Sequence, residues 1–158
     1  EELWFGVIGL GAWSEDRSCN RSPVRFSQRK DFSDLILVAS RNHRDNRLEN
    51  LIEKLAIGKV KTVGSVGCKV ASILRGESDI YLSLSGKSAP KDWDMAAPHA
   101  VIAAAGGDFT HADGKPIFYN TGDVNQRGLL IASHGLRHSD ICNKAMVEIE
   151  IIDPKFSV

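Results

Sequence analysis

The chain has 158 residues, which is enough for one domain with a hydrophobic core, and 42% of them are hydrophobic. Its 20 basic and 20 acidic residues cancel, so no global field favours nucleic acid or a membrane surface as a partner. No apolar run approaches the roughly 20 residues of a membrane-spanning helix. The three cysteines, Cys19, Cys68 and Cys142, form no Cys-x-x-Cys pair, which favours a reducing, cytoplasmic compartment.

Hydrophobic periodicity predicts strands that alternate with helices over most of the chain. Residues 35–40 are continuously apolar, as expected of a strand that is covered on both faces. In chain order, the predicted elements are strands at 4–8, 11–14 and 24–27, a strand at 35–40, a helix at 46–56, a strand at 59–63, a turn at 64–67, a helix at 69–75, a strand at 79–84, a helix from about 94 to 105, a hairpin of 108–110 with 117–119, a strand at 129–133 and a helix at 139–152. This order indicates a single α/β domain over residues 1–158, a layered mixed β-sheet flanked by helices.

Four arginines in the first part of the chain are spaced by four, as on one face of a helix; they are Arg17, Arg21, Arg25 and Arg29. Pro23 argues against that helix, and the residues after it alternate like a strand. The segment is therefore expected to be a solvated turn and edge strand, and the alternative is an anion-binding patch.

The stretch from Lys91 to Gly107 reads as a loop that feeds a helix. A carboxylate such as Asp94 is favoured at the N-cap or in the first turn, where free N–H groups and the positive end of the helix dipole converge. Pro98 is tolerated only within the first turn, which places the start of the helix near Asp94. From the residues alone, Asp94 is either a helix cap or a ligand for a metal ion.

Ligands of α/β sheets gather where loops leave the ends of strands. Four loops of this kind carry polar groups, at 40–44, 64–69, 85–94 and 133–134. In the second loop, Gly64 and Ser65 precede a helix whose first turn contains Lys69, and such a nest suits a phosphate. Glycine turns before helices are also common without a ligand, so the residues alone leave both interpretations open.

Several motifs occur in an order that resembles the inositol monophosphatase family of metal-dependent phosphatases. The sequence WDMAAP at 93–98, followed by Ala-Gly-Gly, is similar to the family's second signature. The sequence GSVGCK at 64–69 fits the same pattern, as does DGKP at 113–116 with Tyr119. The sequence SRNHRD at 40–45 is similar to the CysQ-like branch, the 3'(2'),5'-bisphosphate nucleotidases. The resemblance implies the C-terminal half of a sugar-phosphatase fold.

The resemblance implies roles for the matching residues. Asp94 would be the catalytic residue that ligates a metal ion, expected to be Mg²⁺, near the leaving oxygen, so that hydrolysis is metal-assisted. Ser65 and Lys69, with Gly64 beside them, would contact the non-scissile phosphate or the sugar of the substrate. Lys91 would either neutralise the substrate or pair with the neighbouring Asp92, which otherwise reads as a surface charge.

Other positions bear on the preferred substrate. Arg41 and His43 follow a strand end and would bind a second phosphate or the base, unless they form a plain helix entry. Lys87 and Ser88 stand where many inositol phosphatases have an acidic sugar-binding residue, which disfavours inositol. The implied reaction is hydrolysis of adenosine 3',5'-bisphosphate to AMP, or of a related sulfated nucleotide to its monophosphate. The alternatives are an inositol monophosphatase, a fructose-1,6-bisphosphatase and a non-catalytic phosphate- or nucleotide-binding module.

The chain lacks the family's earlier signature, Asp-Pro-(Ile/Leu)-Asp-Gly-Thr, and an upstream glutamate, which hold most of the metal ions. Its only Asp-Pro is Asp153-Pro154. The chain also begins at Glu1 rather than Met and enters an apolar run almost at once, at Leu3. We therefore expect a missing N-terminal metal-binding half and little activity from this chain alone. The expected partner is a small phosphorylated molecule, a nucleotide bisphosphate or a sugar phosphate, rather than nucleic acid or a membrane. A homodimer of the intact protein is an open alternative to a monomer.

Two further positions carry weaker predictions. His134 and His138 are four residues apart, which suits a metal ion on a helix face, but Gly135 and the lack of a third ligand argue against zinc. Cys68 is predicted to be a small buried thiol.

Overall fold

The structure is a computed structural model of the chain, and it describes residues 2–41, 45–85 and 88–156. Strands and helices alternate along most of this length, as the periodicity predicts. In chain order the elements are β1 (Leu3–Val7), β2 (Gly11–Glu15), β3 (Arg21–Pro23), β4 (Ile36–Ser40), α1 (Asn46–Leu55), β5 (Lys59–Val63), α2 (Val66–Leu74), β6 (Ile80–Leu84), α3 (Asp92–Ala104), β7 (Asp108–His111), β8 (Leu129–Ser133) and α4 (His138–Ile152).

The strands form two sheets. β1, β2 and β3 make a small antiparallel sheet, and the larger sheet has the order β5-β4-β6-β8-β7. In the larger sheet β5, β4 and β6 are parallel, whereas β8 runs antiparallel to both β6 and β7. The predicted layered mixed sheet flanked by helices is thereby confirmed.

The core lies on both faces of the larger sheet. On one face Leu37 and Ala39 of β4 belong to a buried cluster with residues of α1 and α4. On the other face Val38 belongs to a second cluster, which includes residues of α2 and α3. The apolar run of β4 is therefore covered on both sides, as its composition predicts.

The small sheet lies against α3, and a glycine makes the close contact. A Cβ atom built on Gly6 would lie 2.7 Å from the Cβ of Ala104, so no larger residue fits there without a shift. The alanines of α3 let the sheet approach closely at this point. The helix ends at Ala104, and Gly106 after it has a φ of +88°, in the left-handed region that favours glycine.

Two predicted strands are wrong, and tertiary contacts explain both. The edge strand β3 ends at Pro23, because Val24 and Phe26 turn inward to join the core cluster that contains α2 and α3. In the predicted hairpin, β7 pairs with β8. The chain that returns after the turn meets β7 at an isolated bridge between Thr110 and Pro116, before the predicted second strand begins. Residues 117–119 instead run towards the start of α3.

Both helix starts near the expected site lie earlier than predicted. α2 begins at Val66, so Lys69 is in its fourth position rather than in the first turn of a later helix. α3 begins at Asp92, which places Asp94 in the first turn but puts Pro98 inside the helix, contrary to the prediction. Since Pro98 has no N–H group, it leaves the carbonyl of Asp94 without its usual intrahelical donor.

Candidate functional site

Three of the four predicted loops meet at the carboxyl ends of β4, β5 and β6. Together they line a cavity of about 440 Å³. The predicted residues that line it are Arg41, Gly64, Ser65, Lys69 and Asp94. Parallel strands place the loops that follow them at one edge of the sheet, which is why these residues meet although up to 53 positions separate them in the sequence.

The fourth predicted loop lies at the other edge. β8 is antiparallel to β6, and its last residue, Ser133, pairs with Ile80 at the start of β6. His134 is therefore far from the cavity along the strand direction, and its Nε2 bonds the carbonyl of Arg29 at 3.1 Å. His138 contacts Ser133 and Thr110, so the two histidine rings have different partners and do not support a shared zinc ion.

The Gly64–Ser65 turn presents an open backbone to the cavity. Ser65 is the N-cap of α2, but its side chain makes no capping hydrogen bond. The N–H groups of the first helical turn have no intrahelical acceptor and carry the positive end of the helix dipole. The hydroxyl of Ser65 and these N–H groups can therefore bind an anion in the cavity.

Lys69 lies beneath this turn and is only 3% exposed. Its Nζ donates to the carbonyl oxygen of Gly64 and lies 5.1 Å from the centroid of the Tyr81 ring. Burial lowers the pKa of Lys69, and the adjacent Cys68 partly opposes this effect. Its neighbour Cys68 is exposed, so the prediction of a buried thiol is wrong.

Asp94 combines both interpretations made from the sequence. Its carboxylate accepts a hydrogen bond of 2.9 Å from the backbone N–H of Lys91, so it caps the first turn of α3. The same side chain is exposed and lines the cavity. A carboxylate with further lone pairs remains available to a ligand in that position.

Lys91 and Asp92 do not pair with each other. The ammonium group of Lys91 donates to Asn125 Oδ1. Asp92 is half-buried, and its carboxylate accepts hydrogen bonds from the N–H of Asn120 at 2.8 Å and from Gln126 Nε2 at 2.7 Å. The prediction of a surface charge at Asp92 is therefore wrong, because the loop at 118–126 covers it.

The segment after β4 is described only in part. Arg41 is exposed and lines the cavity. His43, the second predicted residue of this segment, lies outside the described residues, as does Lys87. Ser88, which follows Lys87, lines the cavity.

The donor set for a metal ion is small. Within the described ranges, no group of three or more histidine, cysteine, aspartate or glutamate side chains could hold a metal ion. Asp94 is the one carboxylate among the described residues that line the cavity. Mg²⁺ prefers octahedral oxygen coordination, so these residues alone do not fit a complete metal site.

Some cavity residues were missed by the sequence analysis. Tyr81 and Leu48 line the cavity but lie in a buried strand and in the first turn of α1, where apolar and aromatic residues usually indicate core. No local signal distinguishes them from core residues.

Over the described residues, no helix is both long and apolar enough to cross a membrane.

Residues 1–149 match the profile of the Inositol monophosphatase family. The chain is 33% identical to the 3'(2'),5'-bisphosphate nucleotidase CysQ of Buchnera aphidicola over 67% of its own length and 37% of that protein. It is 40% identical to a 3'-phosphoadenosine 5'-phosphate phosphatase of Mycobacterium leprae over 46% of its own length and 26% of that protein.

The fold is similar to that of CysQ from Bacteroides thetaiotaomicron, described as a bacterial member of the inositol monophosphatase family. The TM-score is 0.67 at 25% identity, and the match covers 84% of this chain and 54% of that one. The chain thus spans about half of the solved relative's length, and less of the two curated relatives.

Proposed function

Because the chain belongs to the Inositol monophosphatase family, we propose that the intact protein is a metal-dependent phosphatase of the CysQ type. Its proposed reaction is the hydrolysis of adenosine 3',5'-bisphosphate to AMP. The observation that carries this proposal is that the Gly64–Ser65 turn, Lys69 and Asp94 line one cavity. The names of the Buchnera and Mycobacterium relatives support the choice of substrate.

In this proposal, different residues of the cavity bind the two phosphates and the metal ion. Ser65, the N-terminal N–H groups of α2 and the buried Lys69 bind a phosphate of the substrate through charge-assisted hydrogen bonds. Arg41, at the other side of the cavity, binds the second phosphate. Asp94 offers an oxygen ligand at the end of α3 that faces the cavity.

Mg²⁺, when bound, would activate water and stabilise charge on the oxygens of the phosphate. Asp94 would be one of its ligands. The described residues supply too few carboxylates for such an ion, so the remaining ligands would come from an N-terminal half outside residues 1–158. This chain alone is therefore expected to be nearly inactive.

The test is phosphate release in the presence of Mg²⁺ from adenosine 3',5'-bisphosphate, inositol 1-phosphate and fructose 1,6-bisphosphate. We expect the intact protein to prefer the first substrate and Asp94→Asn to lose most of its activity. A preference for inositol 1-phosphate would replace the CysQ assignment with an inositol monophosphatase. Equal rates from this chain and from an N-terminally extended protein would contradict the proposed division of the metal site.

A non-catalytic binding module is the second candidate, because the described cavity keeps an anion cradle without a complete metal site. Calorimetry distinguishes the two. Binding of adenosine 3',5'-bisphosphate by the intact protein without phosphate release would favour the module.

We also propose a cytoplasmic location, which the three unpaired cysteines support. Light scattering of the intact protein would test whether it forms a homodimer.

A further inference from the structure

The loop at residues 118–126 is attached to the start of α3 by backbone hydrogen bonds. The N–H of Asp92 donates to the carbonyl of Val124 at 3.0 Å, and the N–H of Gln126 donates to the carbonyl of Pro90 at 2.9 Å. Lys91 lies between these two bonds and forms an antiparallel bridge with Asn125. The entrance of α3 is thus paired with this loop over three consecutive residues.

Side chains complete the attachment, and Asp92 is at its centre. One carboxylate oxygen of Asp92 accepts from the N–H of Asn120, and the other accepts from Gln126 Nε2. The same Nε2 donates to the carbonyl of Phe118 at 2.8 Å, and Gln126 is only 6% exposed. Both N–H bonds of the Gln126 amide therefore have an acceptor, and buried networks of this kind are rigid when they are fully satisfied.

A second contact joins the loop to α3 further along the helix. The Tyr119 hydroxyl and His99 Nδ1 share a hydrogen bond of 2.8 Å. Burial and the nearby charge of Asp92 raise the pKa of Tyr119 to about 12, so its hydroxyl keeps its proton at neutral pH. The loop is thus fixed to α3 both at Asp92 and two turns later.

The first turn of α3 needs such external support. Pro98 cannot donate to the carbonyl of Asp94, so one hydrogen bond of the helix ladder is missing next to this residue. The carboxylate of Asp94 is in turn held by the N–H of Lys91, the residue that bridges to the loop. The orientation of Asp94 therefore depends on whether residues 90–92 are held in place.

We propose that Asp92 and Gln126 are positioning residues, which fix the Asp94 carboxylate at the mouth of the cavity by tying residues 118–126 to the entrance of α3. The part that concerns catalysis rests on the proposed phosphatase function. Neither residue is among those that line the cavity, so their loss is expected to lower the turnover rather than the affinity for substrate.

The test uses the intact protein with Gln126→Leu and Asp92→Asn. We expect kcat for adenosine 3',5'-bisphosphate to fall about 10- to 100-fold, since a small displacement of a reacting group has effects of this size, while KM stays within about twofold. Amide hydrogen exchange at Asp94 and Met95 should accelerate by about tenfold, with exchange in α4 unchanged. The matched control is Thr121→Val, in the exposed part of the same loop, which should leave both measurements at their wild-type values.

The double variant Asp92→Asn with Gln126→Leu should lose less than the sum of the two single losses, because both substitutions act on the same hydrogen bond between Asp92 and Gln126. The proposal would be overturned if the Gln126→Leu and Asp92→Asn variants exchanged the amide of Asp94 at the wild-type rate or kept the wild-type kcat. It would also be overturned if exchange accelerated equally in α3 and α4. If the wild-type protein releases no phosphate, the proposed function fails. The exchange pattern alone then decides whether the loop holds α3.

Discussion

At the scale of single residues, Lys69 has the most unusual environment in the cavity. Its ammonium group is buried against a neutral carbonyl and the face of the Tyr81 ring. Among the described residues, no carboxylate forms an ion pair with it. A buried cation without a counter-charge is costly, and an anion that enters the cavity would relieve this cost.

Lys69→Met should therefore separate binding from stability. We expect the affinity for inorganic phosphate to fall by about 10- to 100-fold, because a charged hydrogen bond contributes about 1.5–3 kcal/mol. The free energy of unfolding should stay the same or rise, since a desolvated charge is removed. Calorimetry and urea unfolding measure the two effects, and a variant that unfolds easily but binds phosphate normally would contradict this role.

The lowered pKa of Lys69 predicts a pH dependence. In the proposed site, phosphate would bind the protonated form of Lys69, so the affinity for phosphate should decrease as the pH rises through the folded-state pKa, which lies below the ordinary value of 10.5. The decrease should therefore begin at a lower pH than for an exposed lysine. Titrations of wild type and Lys69→Met between neutral and alkaline pH check this, and a decrease of the same size in both would exclude Lys69 as its source.

Gly64→Ala should affect the ligand and not the fold. A Cβ at Gly64 would meet no heavy atom within 4 Å, so the free energy of unfolding should change by less than about 0.5 kcal/mol. The added methyl group would occupy space in which the proposed phosphate would approach the backbone, and phosphate affinity should fall. Gly58→Ala is the opposite control, because its Cβ would collide with the carbonyl of Ser33 and should destabilise the protein.

At the scale of elements, Asp79 joins β4, β6 and the segment after β3. Its side chain is fully buried and accepts hydrogen bonds from Arg29 Nε at 2.7 Å, from the N–H of Ile36 at 2.7 Å and from the hydroxyl of Ser27. Three elements are thus held by one carboxylate, at the end of β6 that faces away from the cavity.

Asp79→Asn should destabilise the protein by about 3 kcal/mol, because it leaves Arg29 without its counter-charge and turns an acceptor into a donor. Urea unfolding measures the change. Asp153→Asn is the control, since its partner Arg47 is partly exposed and the pair should contribute less than about 1 kcal/mol. Similar losses in both variants would contradict the importance assigned to burial.

Elements with a strong local pattern are predictable from the sequence. β5 and β8 have the predicted bounds, and α1 and α4 differ from theirs by one residue at one end. Residues 117–119 have an equally strand-like composition but are not a strand, because Gln126 binds the carbonyl of Phe118 and Asp92 binds the N–H of Asn120 directly after this segment. The glutamine and the aspartate are 34 residues apart, a distance that periodicity does not reach.

At the scale of the whole molecule, the four described histidines, His99, His111, His134 and His138, share one property. Burial is the largest cause of a lowered pKa in each. Protons therefore bind the unfolded chain more readily than the folded one. Stability should be highest above the unfolded pKa of 6.5 and should fall as the pH decreases below it, until the folded forms are protonated too.

Urea unfolding at pH 7.5, 6.0 and 5.0 checks this expectation. We expect the free energy of unfolding to fall at each step, by up to about 1.4 kcal/mol per histidine for each unit of pKa difference. His99→Phe should reduce the slope, because its ring lies against Phe109 and the substitution removes a titrating group. A flat profile would show that the histidines titrate alike in both states.

The candidate site is predictable to the extent that strand direction is. The rule that loops at carboxyl ends of parallel strands meet identifies Arg41, Ser65, Lys69 and Asp94 correctly as neighbours of one cavity. The rule fails for His134, because the direction of β8 is fixed by its pairing with β6 and not by its own residues. The chemical groups that a loop carries can be predicted from its own residues. The end of the sheet at which the loop lies cannot, because it depends on how the preceding strand pairs.

The reversed strand β8 gives the larger sheet two rims of different character. One rim is open and contains the cavity, while Asp79 and His134 are buried at the other. A comprehensive survey of substitutions should consequently sort into two classes. Substitutions at the open rim would lower activity while the protein still folds. Substitutions at the buried rim would lower the yield of folded protein.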